Sequence, residues 1–182
     1  TFGGSVSHAD PSAELASVSV ALGGRFRLQS QSGERWVPAS EFFVGLFSTV
    51  LEPGELLVEA ALPSMPARSG WSLMEVARRP HDFALVGVAA VVTLDAKGLC
   101  EQARLVFLSA GDVPMVAHKA AELLKGQAFS SEAIIASAEV AASEDIDPGS
   151  DIHATAEFRR HLANVLARRA LEEAFKRAAE NK

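Results

Sequence analysis

Short segments of alternating polar and apolar residues, separated by turn-forming residues, make up the first third of the chain. RFRLQSQ at 25–31 alternates as a half-buried strand does, and RWVP at 35–38 follows it after the turn SGE, so together they predict a β-hairpin. A turn at 52–55 precedes LLVEAALP at 56–63, which has the composition of a strand and ends at a proline.

Two helices are expected in the same part of the chain. Asp10 followed by Pro11 is typical of a helix start, with Asp10 as the N-cap, and the pair Gly23-Gly24 is expected to end this helix. The segment SEFFVGLF at 40–47 predicts a second, short helix that begins at Ser40 as its cap.

The pattern changes at residues 63–70, where prolines, serines and a glycine mark a candidate linker. The strands predicted beyond it lie at 71–78, 84–95 and 100–109. The turn AKG joins the last two strands, which are therefore expected to pair antiparallel. Helical spacing is found at 114–126, 131–142 and about 155–180. The sequence thus predicts an α+β chain in two parts, residues 1–65 and 68–182.

Composition and charge exclude several classes of function. The chain has 182 residues, 48% of them hydrophobic, and can bury a core. Its net charge is −6 with dispersed basic residues, which argues against a nucleic-acid partner, and its apolar run at 83–94 is too short to span a bilayer. The single cysteine, Cys100, excludes an intrachain disulfide and favours a reducing, cytoplasmic setting. The first residue is threonine, which suggests a processed, cleaved or subcloned fragment.

The opening stretch TFGGSVSHADPSAE places two glycines ahead of the predicted helix start. Glycine lacks a Cβ and accepts positive φ, so backbone N–H groups can approach a phosphate there. The carboxylates of Asp10 and Glu14 can accept hydrogen bonds from ribose or ribityl hydroxyls. The spacing is not the G-x-G-x-x-G of a Rossmann fold. Considered alone, Gly3-Gly4-Ser5 is either a nucleotide contact or a turn entering a capped helix, and the turn is better supported.

Other polar groups favour structural roles. The five histidines are dispersed through the sequence, at 8, 81, 118, 153 and 161. His153, Glu157 and His161 are four residues apart, but no further ligand joins them, so a metal site is not expected. The acidic segment 143–151 is expected to bend the chain and cap the last helix. Its residues Asp147 and Asp151 are expected to pair with the adjacent arginines 159 and 160.

TFGGSVSHADPSAEL resembles the T-[IV]-G-G-S/N-x3-A-D-P-x-x-E/D stretch of the FAD-binding, or medium, subunits of molybdenum hydroxylases. These form the carbon monoxide dehydrogenase and xanthine dehydrogenase-like flavoprotein family. The similarity continues through FFVGLFSTVLEPGELLVEAALP, EVARRPHDFALVGVAAVVTLD and EDIDPGSDIHATAEFRRHLANVLARRALEEA. It therefore covers nearly the whole chain in order.

The resemblance implies a fold for each part of the chain. Residues 1–65 resemble the second half of the FAD-binding domain, and residues 68–182 resemble the C-terminal flavoprotein domain, with a three-stranded antiparallel sheet and helices. In the family the dinucleotide lies between two halves of the FAD domain. The first half has no counterpart in this sequence, so the resemblance implies that this chain supplies half of an FAD site.

The resemblance also assigns residues to the cofactor. The residues that match the second phosphate-binding loop are Thr1, Gly3, Gly4 and Ser5. Asp10 and Glu14 match polar positions along the FAD, and Leu57 matches an apolar residue that packs on the isoalloxazine ring. Some relatives carry a lysine near the flavin, and the equivalent places here hold Met74 and Glu75.

By resemblance, electrons leave the substrate at a molybdenum cofactor on a large molybdopterin-binding subunit. They cross [2Fe-2S] centres on a small iron–sulfur subunit and reach FAD, which passes them to quinone, NAD or another acceptor. Two alternatives stay open: an assembly module that docks on the other subunits without holding FAD, and a nucleotide-binding protein outside this family. A flavin absorbance spectrum distinguishes the electron-transfer role from the assembly role.

Overall fold

The computed structural model describes residues 1–79 and 82–181, and these form an α+β fold, as the sequence predicts. The first part contains, in chain order, α1 (Phe2–His8), α2 (Glu14–Ala21), β1 (Arg25–Ser30), β2 (Gly33–Pro38), α3 (Ala39–Phe42), β3 (Phe43–Gly45), β4 (Ser48–Thr49) and β5 (Leu56–Ala61). The second part contains β6 (Ser69–Ala77), β7 (Ala84–Leu94), β8 (Cys100–Leu108), β9 (Met115–Val116), α4 (His118–Leu124), α5 (Ser131–Val140) and α6 (Ala156–Glu180).

The start of the chain differs from the prediction. The Gly-Gly segment is helical and lies within α1, which ends where Ala9 adopts a left-handed conformation with φ 54°. The expected helix start at Asp10-Pro11 is wrong: α2 begins at Glu14, and the Asp10 side chain instead accepts a hydrogen bond from the Ser12 N–H at 2.8 Å. Asp10 therefore stabilises a local turn between two helices, the alternative use of an aspartate near a helix start.

The end of α2 agrees with the sequence. Gly23 has φ 68°, its N–H donates to the Val20 carbonyl at 3.0 Å, and the Gly24 N–H donates to the Ser19 carbonyl at 2.8 Å. These two bonds form a Schellman motif, in which a residue without Cβ tolerates the left-handed position. The chain then enters β1, which pairs antiparallel with β2 as a hairpin and with β5 on its other side.

The helix expected at 40–47 is wrong beyond its first residues. Helix α3 covers only Ala39–Phe42, its N-cap is Pro38 rather than Ser40, and the chain continues as the small hairpin of β3 and β4. Phe42 and Phe43 are both buried, and their rings meet edge to face with centroids 5.2 Å apart. Burying two adjacent aromatic rings in one core requires the chain to leave the helix between them, because neighbouring helical side chains diverge.

The second part is built on an antiparallel sheet in the order β6-β7-β8-β9. The three long strands and the turn between β7 and β8 confirm the sequence prediction, and the short β9 adds a fourth strand. Strand β7 is buried on both faces: Val86, Val88, Ala90 and Val92 contact one core, whereas Ala89 contacts the other. This double burial explains why β7 reads as a continuous apolar run rather than an alternating one.

Helices α4, α5 and α6 cover one face of this sheet, and β9 replaces the beginning of the helix expected at 114–126. Thr155 caps α6 by accepting a hydrogen bond from the Phe158 N–H at 3.2 Å. Buried alanines on α6 allow a close approach to β6, where Gly70 contacts the backbone at Ala174 and Ala178. The opposite sheet face is covered by α2, so the core of residues 1–65 continues onto Ala89 and Val106.

Candidate functional site

The first turn of α1 exposes backbone rather than side chains. The Thr1 hydroxyl accepts a hydrogen bond from the Gly4 N–H at 3.1 Å, and the Ser5 N–H donates to the Thr1 carbonyl at 2.9 Å. The turn expected at Gly3-Gly4-Ser5 is instead part of a helix, and neither glycine has a positive φ. A Cβ atom built on Gly3 meets no described heavy atom within 4 Å, so the backbone there is open to a ligand.

The two acidic residues of the opening stretch lie on either side of the α1–α2 connection. Asp10 is half-buried and holds the turn to Ser12, whereas Glu14 is exposed in the first turn of α2. The Phe47 N–H donates to the Ala9 carbonyl at 3.2 Å, and the rings of His8 and Phe47 lie with centroids 5.0 Å apart. The β3–β4 hairpin therefore supports the end of α1.

Leu57 lies on β5, which packs against α1, so the structure brings it to the same side of the sheet as the opening stretch. It pairs with Leu28 on β1, and its half-buried side chain contacts the core of the first part. Its neighbours Leu56 and Val58 are 69% and 43% exposed. Leu56 pairs with the exposed Gln29 and so lies on the opposite face of the strand from Leu57, which is the residue that shares the core side with α1.

Met74 and Glu75 point to opposite faces of the sheet, as successive strand residues do. Met74 contacts the core under α6, whereas Glu75 is paired with Gly87 on the face toward α2. Partial burial, and then repulsion from Glu14, raises the pKa of Glu75 above its usual range. Glu75 is therefore the one of the two side chains that lies on the sheet face toward Glu14.

A cleft of about 550 Å³ opens where the connection after Asp10 meets the end of β8. Ser109, with φ 54°, donates its N–H to the Pro11 carbonyl at 2.9 Å. Its hydroxyl donates to the Ala84 carbonyl at 2.9 Å and lies 2.8 Å from the Ser12 hydroxyl oxygen. Sequence reasoning missed this cleft, because its lining residues come from segments about 100 positions apart.

Arg159 forms the buried wall of the same cleft. Its Nη2 lies 2.7 Å from Asp151 Oδ2, and its Nη1 donates to the Leu85 carbonyl. Backbone N–H groups of Ala154 and His153, together with Arg159, lower the pKa of Asp151 to about 2. The predicted arginine pairs are confirmed: Arg159 binds Asp151, and Arg160 binds Asp147 at 3.1 Å. These contacts fix the acidic segment against the start of α6.

His81, one of the five histidines, lies outside the described residues. Within residues 1–79 and 82–181, no three His, Cys, Asp or Glu side chains come together as metal ligands would. Among the same residues, no helix has the length and apolar character needed to cross a membrane. Burial raises the pKa of the Cys100 thiol to about 11, so this thiol is a core residue rather than a nucleophile.

Comparison with known families assigns both parts of the chain. Residues 71–174 match the family described as the CO dehydrogenase flavoprotein C-terminal domain, and residues 1–65 match the FAD binding domain in molybdopterin dehydrogenase. The 6-hydroxypseudooxynicotine dehydrogenase complex subunit alpha of Paenarthrobacter nicotinovorans is 38% identical over 100% of this chain. The carbon monoxide dehydrogenase medium chain of Afipia carboxidovorans is 32% identical over 98% of it. The chain spans 61% of the length of each of these relatives.

Solved structures share the whole fold. Carbon monoxide dehydrogenase from Hydrogenophaga pseudoflava superposes with a TM-score of 0.92 at 32% identity, covering 97% of this chain and 61% of that one. Quinoline 2-oxidoreductase from Pseudomonas putida 86 superposes with a TM-score of 0.89 at 34% identity, covering 98% of this chain and 61% of that one. The chain therefore belongs to the carbon monoxide dehydrogenase and xanthine dehydrogenase-like flavoprotein family.

Proposed function

We propose that the chain is part of the FAD-containing electron-transfer subunit of a molybdenum hydroxylase complex. In this role it passes electrons from iron–sulfur centres through FAD to an external acceptor. The proposal is supported by the match of residues 1–65 to an FAD-binding domain and by relatives that are medium chains or subunits of dehydrogenase complexes. We place the boundary between the FAD-binding region and the C-terminal flavoprotein domain at residues 65–68.

The open backbone at Gly3 carries the proposal for the cofactor. A phosphate needs N–H groups without an acceptor in the chain and no side chain in the way. The Gly4 and Ser5 N–H groups already donate to Thr1, so the N–H groups left for a phosphate in the first turn of α1 are those that precede Gly4, where a Cβ on Gly3 would meet open space. In this arrangement the pyrophosphate lies against Thr1, Gly3, Gly4 and Ser5. The carboxylates of Asp10 and Glu14 accept hydrogen bonds from its sugar hydroxyls, and Leu57 provides an apolar contact for the isoalloxazine ring.

The bound FAD would supply two-electron and one-electron redox chemistry, which this chain's side chains lack. The residues of the chain bind and orient it. Leu57 excludes water from one side of the ring, and Glu75 adds negative charge nearby. Negative charge beside a flavin disfavours its anionic reduced form, because like charges repel in a partly buried site.

The proposed partners follow from the share of the relatives that this chain matches. Because it spans 61% of their length, we expect a further polypeptide segment, the first half of the FAD domain, to complete the site. A large molybdopterin-binding subunit and a small subunit with [2Fe-2S] centres would complete the complex. The 182-residue chain alone is then a half-site that is inactive by itself.

An FAD titration tests the proposal. The chain alone should retain little FAD through gel filtration, and adding a polypeptide that carries the first half of the FAD domain should restore flavin absorbance at one FAD per chain. Gly149→Ala controls for the effect of adding a methyl group away from the proposed site, because a Cβ there meets no described atom within 4 Å. It should retain the same amount of FAD as the parent under both conditions. Stoichiometric FAD on the chain alone would overturn the half-site, and no FAD under either condition would overturn the cofactor assignment.

A second candidate function is assembly without cofactor. Strand β6 is an edge strand, and its residues Trp71 and Leu73 are 52% and 38% exposed beside an apolar groove against α2. Such a surface is typical of protein contacts. A complex that purifies with all its chains but shows no flavin absorbance from this one would favour the assembly role.

A further inference from the structure

A second cleft, of about 630 Å³, lies on the α6 face of the sheet, opposite the face that α2 covers. Its apolar surface comes from Met74, Leu94 and Phe175, three residues of the core under α6. Phe129 lies over this surface with its ring centroid 5.7 Å from that of Phe175, yet it remains 56% exposed. The volume lies within the range of small-molecule sites, and the accessible ring offers a stacking surface.

Three cations border this apolar cleft: Arg68, Arg169 and Lys176. Arg169 and Lys176 are seven residues apart, and so lie on one face of α6 two turns apart. Among the described residues, none of the three forms an ion pair within 4 Å, although other arginines of this chain do. The chain as a whole has a net charge of −6, so this concentration of positive charge is local.

The neighbouring carboxylates are largely engaged elsewhere. Glu173 accepts a hydrogen bond from Arg177 Nε at 2.7 Å. Asp95 accepts the N–H groups of Leu99 and Lys97 at 2.9 and 2.8 Å, and these bonds, with a smaller contribution from Arg68, lower its pKa; it lies outside the cleft lining. Glu172 is the remaining carboxylate in the lining. The cations therefore outnumber the carboxylates that are able to neutralise them from within the cleft.

Arg68 also carries an unsatisfied donor. Its Nε is buried, and no acceptor among the described residues is within hydrogen-bonding distance. Its backbone has φ 59°, an uncommon conformation for a residue with a side chain, and the Leu94 N–H donates to its carbonyl at 3.0 Å. The Nε atoms of Arg27, Arg159 and Arg168 are likewise buried without an acceptor in the described part of the chain, so a ligand would reach Arg68 through the part of its side chain that lines the cleft.

We propose that this cleft binds an aromatic carboxylate. Its carboxylate would accept hydrogen bonds from Arg68, with Arg169 and Lys176 adding attraction, and its ring would stack on the exposed side of Phe129, next to the apolar surface formed by Met74 and Phe175. An anion matches the three cations of the lining, and an aromatic body matches the accessible phenyl ring. The site lies on the sheet face away from α1 and α2, so it is separate from the proposed FAD residues.

Calorimetric titration of the FAD-free 182-residue chain with 2-naphthoate tests this assignment, with the uncharged 2-naphthamide as a shape-matched probe. We expect 2-naphthoate to bind at one site at least 10-fold more tightly than 2-naphthamide. Arg68→Gln should weaken 2-naphthoate at least 10-fold and 2-naphthamide little, whereas Phe129→Ala should weaken both. Lys125→Ala, at an exposed lysine outside this cleft, is the charge-matched control and should change neither.

Arg169→Gln provides a second loss of charge if Arg68→Gln fails to fold, as judged by its thermal melt. It should weaken 2-naphthoate and spare 2-naphthamide. Equal affinity of the parent chain for the two probes, or no binding of 2-naphthoate, would overturn the proposal. Because these measurements use no flavin, their outcome is independent of whether the chain is part of an FAD subunit.

Discussion

The hydroxyl oxygen of Thr1 lies 3.1 Å from the Gly4 nitrogen, and a Cβ atom built on Gly4 would lie 2.8 Å from the same oxygen. The two adjacent glycines of the opening stretch therefore differ in what a side chain would do. At Gly4 it would displace the residue that caps α1. At Gly3 it would point into open space, where only a ligand would meet it.

We expect Gly3→Ala to separate cofactor binding from folding. Because Gly3 is helical, alanine should raise the free energy of unfolding by up to about 1 kcal/mol. In an intact subunit its methyl group should obstruct the pyrophosphate and lower FAD affinity at least 10-fold, a loss of about 1.4 kcal/mol. Flavin titration beside a thermal melt measures both effects. If Gly3→Ala binds FAD as the parent does, Gly3 has no contact with the cofactor.

Gly4→Val should impair both properties. Its Cβ would force the Thr1 side chain away from the Gly4 N–H, and losing a cap of this type costs roughly 0.5–2 kcal/mol. A branched residue in the first turn should also lower FAD affinity in an intact subunit. The same melts and titrations apply, with Gly149→Ala as the control, and an unchanged melting temperature for Gly4→Val would argue against the cap.

The sequence predicted best the elements whose signals are long and agree with one another. Strand β7 combines β-branched residues with a tight turn after it, and α6 combines 25 residues of helical spacing with a Thr155 cap. Because both faces of β7 are buried, its sequence is a continuous apolar run. Because α6 packs closely on β6, its buried face is rich in alanine. In both elements the local sequence preference and the tertiary packing favour the same conformation, so the local pattern was sufficient to predict them.

The opening stretch was predicted less well because two local signals competed. Asp10-Pro11 is typical of a helix start, but the Pro11 carbonyl accepts the Ser109 N–H and the Ala9 carbonyl accepts the Phe47 N–H. Both partners are distant in sequence, and together they hold residues 9–13 out of a helix. The Arg159–Asp151 pair was predicted, but the cleft that Arg159 borders was not, because Arg159 also contacts the Leu85 carbonyl on β7, which is distant in sequence.

Replacing Glu75 should reveal its raised pKa as a pH-dependent gain in stability. The pKa of Glu75 is higher in the folded state than its value of 4.5 in the unfolded chain. Above pH 4.5 the unfolded chain therefore loses its proton more readily, and the free energy of unfolding falls as the pH rises. Glu75→Gln should therefore be more stable than the parent at pH 7, and this difference should vanish near pH 4. Urea unfolding at both pH values measures it.

Glu14→Gln is the matched control for that series. It removes the repulsion, the smaller cause of the Glu75 shift, and also the favourable interaction of Glu14 with the N-terminus of α2, so any gain at pH 7 should be less than that of Glu75→Gln. An equal or larger gain for Glu14→Gln would show that repulsion, rather than partial burial, dominates the pKa of Glu75.

Gly70→Ala should strongly destabilise the second part of the chain. A Cβ there would overlap the Ala174 carbonyl and the Ala178 nitrogen, which are backbone atoms of α6 and cannot rotate away. Overpacking a core costs typically 1–3 kcal/mol, and a backbone overlap should reach about 3 kcal/mol or more. Thermal or urea unfolding should show the loss, while Gly149→Ala stays within about 0.5 kcal/mol of the parent. A mild effect at Gly70 would mean that α6 shifts along the sheet.

Arg159→Met should lower the free energy of unfolding more than Arg168→Met does, although each substitution removes one ion pair made by an arginine of α6. The Arg159 side chain is 9% exposed, and its loss leaves the buried Leu85 carbonyl without its donor, so we expect a loss of about 1–3 kcal/mol. Asp151 is 48% exposed and keeps the N–H groups of His153 and Ala154, so it adds little to this loss. Arg168 is 38% exposed, and its Nη2 is 3.4 Å from a carboxylate oxygen of Glu139. An exposed ion pair of this kind stabilises the fold by less than about 1 kcal/mol, so Arg168→Met should lower the free energy of unfolding by no more than that. Urea unfolding measures both. Equal losses would show that Arg159 acts only by filling space, and Arg159→Lys, which keeps the charge but not the second donor, would then match Arg159→Met.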